Sequence, residues 1–358
     1  MISRTTDRTI VTIALAVFSV AIGTSTPRRA DPQQDLHRLL AEREFSGAVL
    51  IAKNGAVLCQ AALGSADVDG HVPLTTRSSF NLASVSKQFT AAAVMILLED
   101  GRLSLDDPVT DYLPELACFP GITIRHLLNH TSGLPDIYGI LGRVWDRSKM
   151  AGNEELLSIF AGGEHRTVFL PGEKFEYSNT GYVVLASVVE RVSGLPFTRF
   201  LEERVFGPLD MNDSFAYYLT MDRYPRPERV YGLKRVNGSL LLNDLIYSDG
   251  MRGDGNVHAS VEDLFKWDRA LYGEKILKRE TLRKMFTPGR LNDGTPTEYG
   301  FGFGIHENGR VVSHGGSWVG FRSLIVRYVD RQDTLIMLIN CVSPKAMGLD
   351  SELKKLFF

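Results

Sequence analysis

The chain has 358 residues, 44% of them hydrophobic and 23% charged, with 40 basic and 42 acidic side chains for a formal charge of −2. Ordinary globular usage on this length excludes wholesale disorder and leaves room for a sizeable core, in one large domain or two packed lobes. The even charge balance carries no electrostatic footprint for DNA or RNA, so no nucleic-acid partner is expected.

The first thirty residues have the layout of an export signal. Arg4 and Arg8 precede an apolar run from Ile10 to Ile22, and small residues follow at Gly23 and Ser25. A positive end, a short apolar core and a small-residue zone read as a secretory signal peptide. The run is short for a hydrocarbon layer of about 30 Å. An uncleaved anchor is the alternative, and the one membrane association expected. No cysteine adjoins the run, which argues against a lipid-modified start. The mature protein is expected to be secreted or periplasmic and to begin between Thr24 and Asp31, with residues 1–30 outside the fold. The cysteines are Cys59, Cys118 and Cys341. Their odd count and wide spacing fit neither a disulfide scaffold nor a metal knuckle. Cys59 and Cys341 lie in strand-like runs and read as buried apolar filler.

Asp31-Pro32 opens a helix, with Asp as cap, Pro at its first position, and Leu36, Leu39 and Leu40 on one side. Gly47–Lys53 and Ala56–Leu63 are apolar runs joined by Asn54-Gly55, which predicts a hairpin with a tight primed turn. A polar loop continues to about Ser79. Ser84–Glu99 reads as a helix with Gly101 beyond its end. Helical patterns then alternate with Pro- and Gly-marked loops. They include Ile124–Asn129, Glu154–Phe160, Thr180–Val192, Phe197–Val205 and Val261–Leu271, the last capped by Ser260 with Asp263 in its first turn. From Tyr299 the pattern turns to strands: Tyr299–His306, Val311–Ser313, Phe321–Tyr328 and Thr334–Asn340, with turns at Asn308-Gly309 and Asp330–Asp333. A short terminal helix follows Pro344. Strands at both ends and helices between predict one antiparallel sheet built from both termini and covered by helices. The expected division is an α/β sheet lobe from 31–100 and 288–358, with a mostly helical lobe from 101–287. No internal repeat suggests a solenoid or propeller.

Several signatures are missing. There is no G-x-S-x-G elbow, no Walker-type phosphate loop and no H-E-x-x-H. Gly253-Asp-Gly255 and Gly300-Phe-Gly302 lack the third glycine of a dinucleotide fingerprint. Three other elements carry chemistry. Ser84-Val-Ser-Lys87 places a hydroxyl and an amine three residues apart at a helix start, on one face and near backbone N–H groups that favour negative charge. A poorly solvated Lys loses its proton near neutral pH and serves as a base. About one chance S-x-x-K is expected in such a chain. Ser351-Glu-Leu-Lys354 is a second match, read as a solvated helix face. Tyr177-Ser-Asn179 stands at the mouth of the next strong helix, and a phenol beside a Lys can shuttle a proton. His314-Gly315-Gly316 ends a strand ahead of Ser317-Trp318, with glycines that admit close backbone approach. Lys53-Asn-Gly55 is a variant of the third element, set aside because it is a hairpin turn ahead of Ser84. Singly, these residues are more often caps, packed aromatics and turns.

In that order the three elements resemble the signature of β-lactamases and penicillin-binding proteins, in which S-x-x-K is followed by later partner motifs. The chain resembles the class C β-lactamase-like serine hydrolases, which include D,D-peptidases, D-aminopeptidases and related esterases. Asn81–Lys87, Leu103–Pro114, Ile124–Pro135 with His130-Thr-Ser-Gly133, Pro171–Asn179 and Gly253–Leu271 carry the likeness further, from about Gln34 to Asn340. The resemblance implies an α/β (α+β) fold of the β-lactamase/transpeptidase type and an acyl-enzyme on Ser84. It implies Lys87 and Tyr177 as base partners, Asn179 as the orienter of substrate and Lys, and His314 as the third motif's lead residue. Its oxyanion hole is the backbone N–H of Ser84 and Ser317. Gly315, Gly316, Trp318 and Arg322 are the expected substrate contacts. No metal or organic cofactor is expected, and the partner is a small-molecule or peptide substrate. Classical β-lactamases and D,D-peptidases have Lys where this chain has His314. A largely neutral imidazole favours amides, peptides or esters without the carboxylate that an ammonium would hold, unless Arg322 supplies the charge. The alternative is a catalytically silent binder of cell-wall peptides or other ligands on the same fold.

Overall fold

Gly47–Lys53 runs through Ala-Val-Leu-Ile-Ala without polar alternation because both faces of this strand are covered. Ala48, Leu50 and Ala52 enter one core, and Val49 and Ile51 enter a second on the opposite face. The structure is a computed structural model that describes residues 31–163, 165–216 and 229–358. The signal-peptide reading lies outside the described residues.

In chain order the helices and strands are α1 (Pro32–Glu42), β1 (Gly47–Lys53), β2 (Ala56–Leu63), β3 (Phe80–Asn81), α2 (Lys87–Glu99), α3 (Ile124–Leu128), α4 (Ile137–Val144) and α5 (Asn153–Gly162). Then come α6 (Asn179–Ser193), α7 (Phe197–Leu201), β4 (Phe215–Ala216), β5 (Leu233–Val236), β6 (Ser239–Leu242), β7 (Val257–Ala259), α8 (Val261–Ala270) and α9 (Arg279–Met285). The chain closes with β8 (Gly304–His306), β9 (Val311–Trp318), β10 (Phe321–Tyr328), β11 (Asp333–Ile339) and α10 (Leu349–Phe357).

The main sheet has the order β2-β1-β11-β10-β9-β8, antiparallel throughout. The two chain ends meet at β1 and β11, where Gly47 faces Ile339 and Ala52 faces Thr334. The β1–β2 turn has Asn54 at φ +50° and Gly55 at φ +79°, the primed geometry predicted for Asn-Gly. α1 and α10 cover one face with Leu36, Leu40, Leu349 and Leu353. The other face meets the larger core, where α8 lies against β1 and β11, and α2 packs on α6. α2 is buried from Lys87 to Leu97 and apolar on every side from Ala91 to Leu98, as a core helix should be. Small ribbons β3-β7-β4 and β5-β6 complete the described sheets. Cys59 and Cys341 are both buried.

The structure revises several element boundaries. The helix expected from Ser84 begins as a 3-10 turn, Ala83–Ser86, and becomes α-helical at Lys87. Of Tyr299–His306 only Gly304–His306 is strand, because Gly302 turns at φ +80° against the Lys87 carbonyl. β9 does not end before His314 but runs on to Trp318. Its pairing with β10 supplies the hydrogen bonds that two glycines do not discourage. α4 and α9 are short helices outside the main sequence pattern. Gly139 and Gly142 weaken the pattern of α4, which the Asp136 side chain caps at the Gly139 N–H, 2.9 Å away.

Candidate active site

Ser84 is held by a strained turn. The residue before it, Ala83, sits at φ +46°, a left-handed conformation that costs an L-residue about 1–2 kcal/mol. The Ala83 N–H donates to Asn81 Oδ1 at 2.8 Å. From the other side, β9 presses Gly316 onto the turn. A Cβ on Gly316 would lie 2.4 Å from the Leu82 carbonyl oxygen and 2.3 Å from Ser323 Oγ. Only glycine lets the strand come so close.

Lys87 is fully buried. Its Nζ donates to Asn179 Oδ1 and to the Asp254 backbone carbonyl, both at 2.8 Å, and reaches Ser84 Oγ at 3.4 Å. Burial pulls the ammonium down to about 8, against the raising charge of the Asp254 carboxylate. An amine in that range gains and loses a proton near neutral pH. Asn179 is the first residue of α6, whose start is capped by Ser178 Oγ on the Gly181 N–H. Helix geometry therefore aims Asn179 at Lys87.

Tyr177 places its ring 4.9 Å from Lys87 Nζ. The residue leaves 42% of its surface in solvent, yet its hydroxyl end is desolvated. Burial holds the phenol well above its usual range, while a hydrogen bond with Ser84 pulls it back. Tyr177 thus stays protonated at neutral pH. Behind it, the buried His130 ring lies 4.3 Å from the Tyr177 ring and 4.5 Å from Tyr299, with Nδ1 accepting the Ser178 N–H at 3.0 Å. Burial, Lys87 and His314 keep that imidazole neutral.

His314 is also buried and neutral. Its Nδ1 is 2.7 Å from the Gly315 carbonyl and its Nε2 is 2.8 Å from Tyr299 Oη. A carbonyl only accepts, so Nδ1 carries the proton and Nε2 accepts from Tyr299. Burial and the Lys87 charge lower its pKa to about 4. Both ring nitrogens are therefore occupied, and no positive charge stands at this position at pH 7.

The cleft over Ser84 is lined by Asn81, Tyr138, Asn179, Asp254, Ser317 and Trp318 among others. β8 pairs with β9 only as far as Ser313. From His314 to Trp318, one edge of β9 has no strand neighbour among the described residues. Trp318 is fixed by donating Nε1 to Asp249 Oδ1 at 2.6 Å. Tyr138 lies 5.5 Å from its ring and donates to Asp254 Oδ2 at 2.7 Å. Burial raises the Asp249 carboxyl to about 7.

The fold thus assembles Ser84, Lys87, Tyr177, Asn179, His314, Gly316, Ser317 and Trp318 around one cleft. Gly315 contributes the carbonyl that orients His314. Arg322 is placed differently. Its Nη1 donates to the carbonyls of Val319 and Phe321 at 3.3 and 2.6 Å, bracing the β9–β10 turn, and it is not among the cleft-lining residues. Ser351 and Lys354 lie on α10, where Lys354 pairs with Asp350 at 3.0 Å, in keeping with a solvated face. Asp254, Tyr138 and Tyr299 escaped the sequence reading. The only signal for Asp254 was the Gly253-Asp-Gly255 triplet. Gly253 is needed there because its φ is +111° and a Cβ would sit 2.3 Å from the Tyr182 carbonyl oxygen.

A family model described as Beta-lactamase matches residues 33–356. Penicillin-binding protein 4* of Bacillus subtilis (strain 168) is 39% identical over 324 residues, 86% of this chain and 71% of that protein. A D-aminopeptidase of Brucella anthropi is 28% identical over 82% of this chain, which spans only 56% of that relative's length. A crystal structure of a penicillin binding protein from Bacillus halodurans superposes with a TM-score of 0.77 at 28% identity, covering 90% of this chain and 99% of that one. The chain belongs to the Beta-lactamase family and is a serine hydrolase of the class C β-lactamase-like group.

Proposed function

We propose that this protein is an exported hydrolase that cleaves amide or ester bonds through an acyl-enzyme on Ser84, with peptides, amides or esters favoured over β-lactams. The observation that carries this reading is the set of bonds around Lys87, whose buried amine reaches Ser84 while Asn179 and the Asp254 carbonyl hold it in place. Near neutral pH the unprotonated fraction of Lys87 accepts the Ser84 proton as Oγ attacks the carbonyl carbon. Tyr177 passes its proton to the departing amine or alkoxide while taking one from the Lys87 ammonium, so both are restored in the acyl-enzyme, and water then releases the acyl group by the same relay run from water to Ser84. The backbone N–H groups of Ser84 and Ser317 stabilise the oxyanion, each worth about 3 kcal/mol where such donors have been removed. The neutral His314 supports the substrate preference, since it offers no fixed charge for a carboxylate.

The test compares p-nitrophenyl esters, D-amino acid amides, D-Ala-D-Ala peptides and nitrocefin on purified protein. Ser84→Ala is expected to lower turnover of any true substrate by about 10³-fold or more with the fold intact, and to abolish labelling by a fluorophosphonate. A wild type that neither labels nor turns over would instead make the protein a silent binder. Export rests on Arg4, Arg8 and the Ile10–Ile22 run. N-terminal sequencing from an exporting host should find a start between Thr24 and Asp31.

A further inference from the structure

His130 begins a His-Thr-Ser-Gly run, and two of its acceptors close around one neighbour. Its backbone carbonyl accepts the Glu176 N–H at 2.9 Å, and its Nδ1 accepts the Ser178 N–H at 3.0 Å. The residue between those two donors is Tyr177. His130 holds both at φ +60°, a left-handed conformation that is unfavourable for an L-residue and persists where its surroundings impose it. The imidazole also lies against the Tyr177 ring, 4.3 Å away at 36°, with the Tyr299 and Tyr182 rings at 4.5 and 5.0 Å.

Packing alone does not account for an imidazole here. His130 is fully buried. With Nδ1 accepting, the proton of the neutral ring sits on Nε2, which has no hydrogen-bond partner among the described residues. Burying an N–H unpaired is costly, and a phenyl ring would fill the space among three tyrosines without that cost. What a phenyl ring lacks is the acceptor at Nδ1. The Ser178 N–H that Nδ1 binds stands just ahead of α6, where Ser178 Oγ caps the Gly181 N–H and Asn179 holds Lys87 Nζ at 2.8 Å. One side-chain bond therefore ties both Tyr177 and the start of α6 to His130.

We propose that His130 is a positioning residue for Tyr177: its carbonyl and its Nδ1 clamp the backbone on either side of the tyrosine, and its ring supports the phenol where the leaving group departs. The role rests on the hydrolase reading, in which Tyr177 gives its proton to the departing amine or alkoxide. Loosening the clamp costs most where the leaving group needs that proton, and little where it departs as a stable anion.

The experiment measures kcat/KM, which reads the acylation half of the reaction, on p-nitrophenyl, phenyl and ethyl acetate. His130→Phe keeps a ring and removes the acceptor, whereas His130→Asn sets an oxygen close to the place of Nδ1. His130→Phe is expected to lose about 10²-fold on ethyl acetate, the worth of a well-placed general acid, and less than about tenfold on p-nitrophenyl acetate, with phenyl acetate between. His130→Asn should regain most of the loss on ethyl acetate. Circular dichroism confirms that each variant is folded, and His130→Ala carries the same comparison if the Phe variant is not. An equal loss on all three acetates would mark a merely structural residue and overturn the proposal. So would a His130→Phe protein as active as wild type on ethyl acetate, or a His130→Asn protein no better than His130→Phe. A wild type that neither turns over the acetates nor takes the fluorophosphonate label overturns the hydrolase reading itself, and this role with it.

Discussion

Lys87 concentrates the chemistry of the site at the residue scale, and its surroundings decide its proton. Burial lowers its pKa and the Asp254 carboxylate raises it. Asp254→Asn keeps the backbone carbonyl that binds Nζ but removes the charge, so Lys87 should lose its proton at lower pH. The limb of kcat/KM that rises with pH through about 8 is then expected to move downward. A profile that stays in place would mean another group governs it. His314→Lys tests the other selector. A cation beside the acyl site should improve transition-state binding of carboxylate-bearing substrates by about 1–2 kcal/mol, roughly 5–30-fold in kcat/KM. The measurement is the ratio of nitrocefin to p-nitrophenyl acetate turnover, and a ratio that does not rise removes His314 from that role. Ser84, Lys87, Tyr177 and His314 were legible because spaced motifs expose them. Asp254 was not, because it holds Lys87 through a backbone carbonyl that any residue type could supply.

Elements with strong local signals matched their sequence patterns, and those shaped by neighbours did not. α6 carries a Ser178 cap and an αL Gly194 at its end, so both limits follow from local chemistry. β9 has no such signal past Ser313. Its second half exists because β10 pairs with it from His314 to Trp318 and because Gly316 fits under the turn that carries Ser84. Gly316→Ala should therefore force β9 and the turn apart, costing about 1–3 kcal/mol of stability as overpacking does and lowering kcat/KM sharply. Gly315→Ala is the control, since its Cβ would meet nothing nearer than the Ser323 carbonyl oxygen at 3.8 Å. It should shift stability by no more than about 0.5 kcal/mol. Denaturant midpoints of the two variants, read beside their activities, check the contrast.

At the scale of the whole molecule, residues Pro32–Phe358 pack as one compact unit in which distant segments lock each other. Asp268 on α8 accepts from Arg327 Nε on β10 at 2.5 Å and from Thr334 Oγ1 on β11 at 2.9 Å. Both ionic side chains are essentially out of water, at 0% and 1% exposed. Removing one partner leaves a buried charge unmatched. Asp268→Ala should cost about 3–5 kcal/mol, a large share of a typical total of about 5–15 kcal/mol. Asp268→Leu with Arg327→Met should recover much of that loss, because the desolvated charges are removed together. Urea unfolding of the three proteins gives the comparison. A single variant as stable as wild type would show that α8 is held by apolar packing alone.

Local pattern determined the hairpin at Asn54-Gly55, the capped helices, the apolar strands near both chain ends, and the order of the Ser-Lys, Tyr-Asn and His-Gly elements. Each depends on residues within a few positions of one another, so their physics is readable along the chain. Tertiary structure decided what depends on partners far away in sequence. It buried Lys87 and so pulled its amine down to about 8, and it placed Asp254 beside that amine with Tyr138 bonded to the Asp254 carboxylate. It kept His314 neutral through burial and the Lys87 charge, and turned Arg322 toward turn carbonyls. Desolvation and proximity set those properties, and neither has a local signature in sequence.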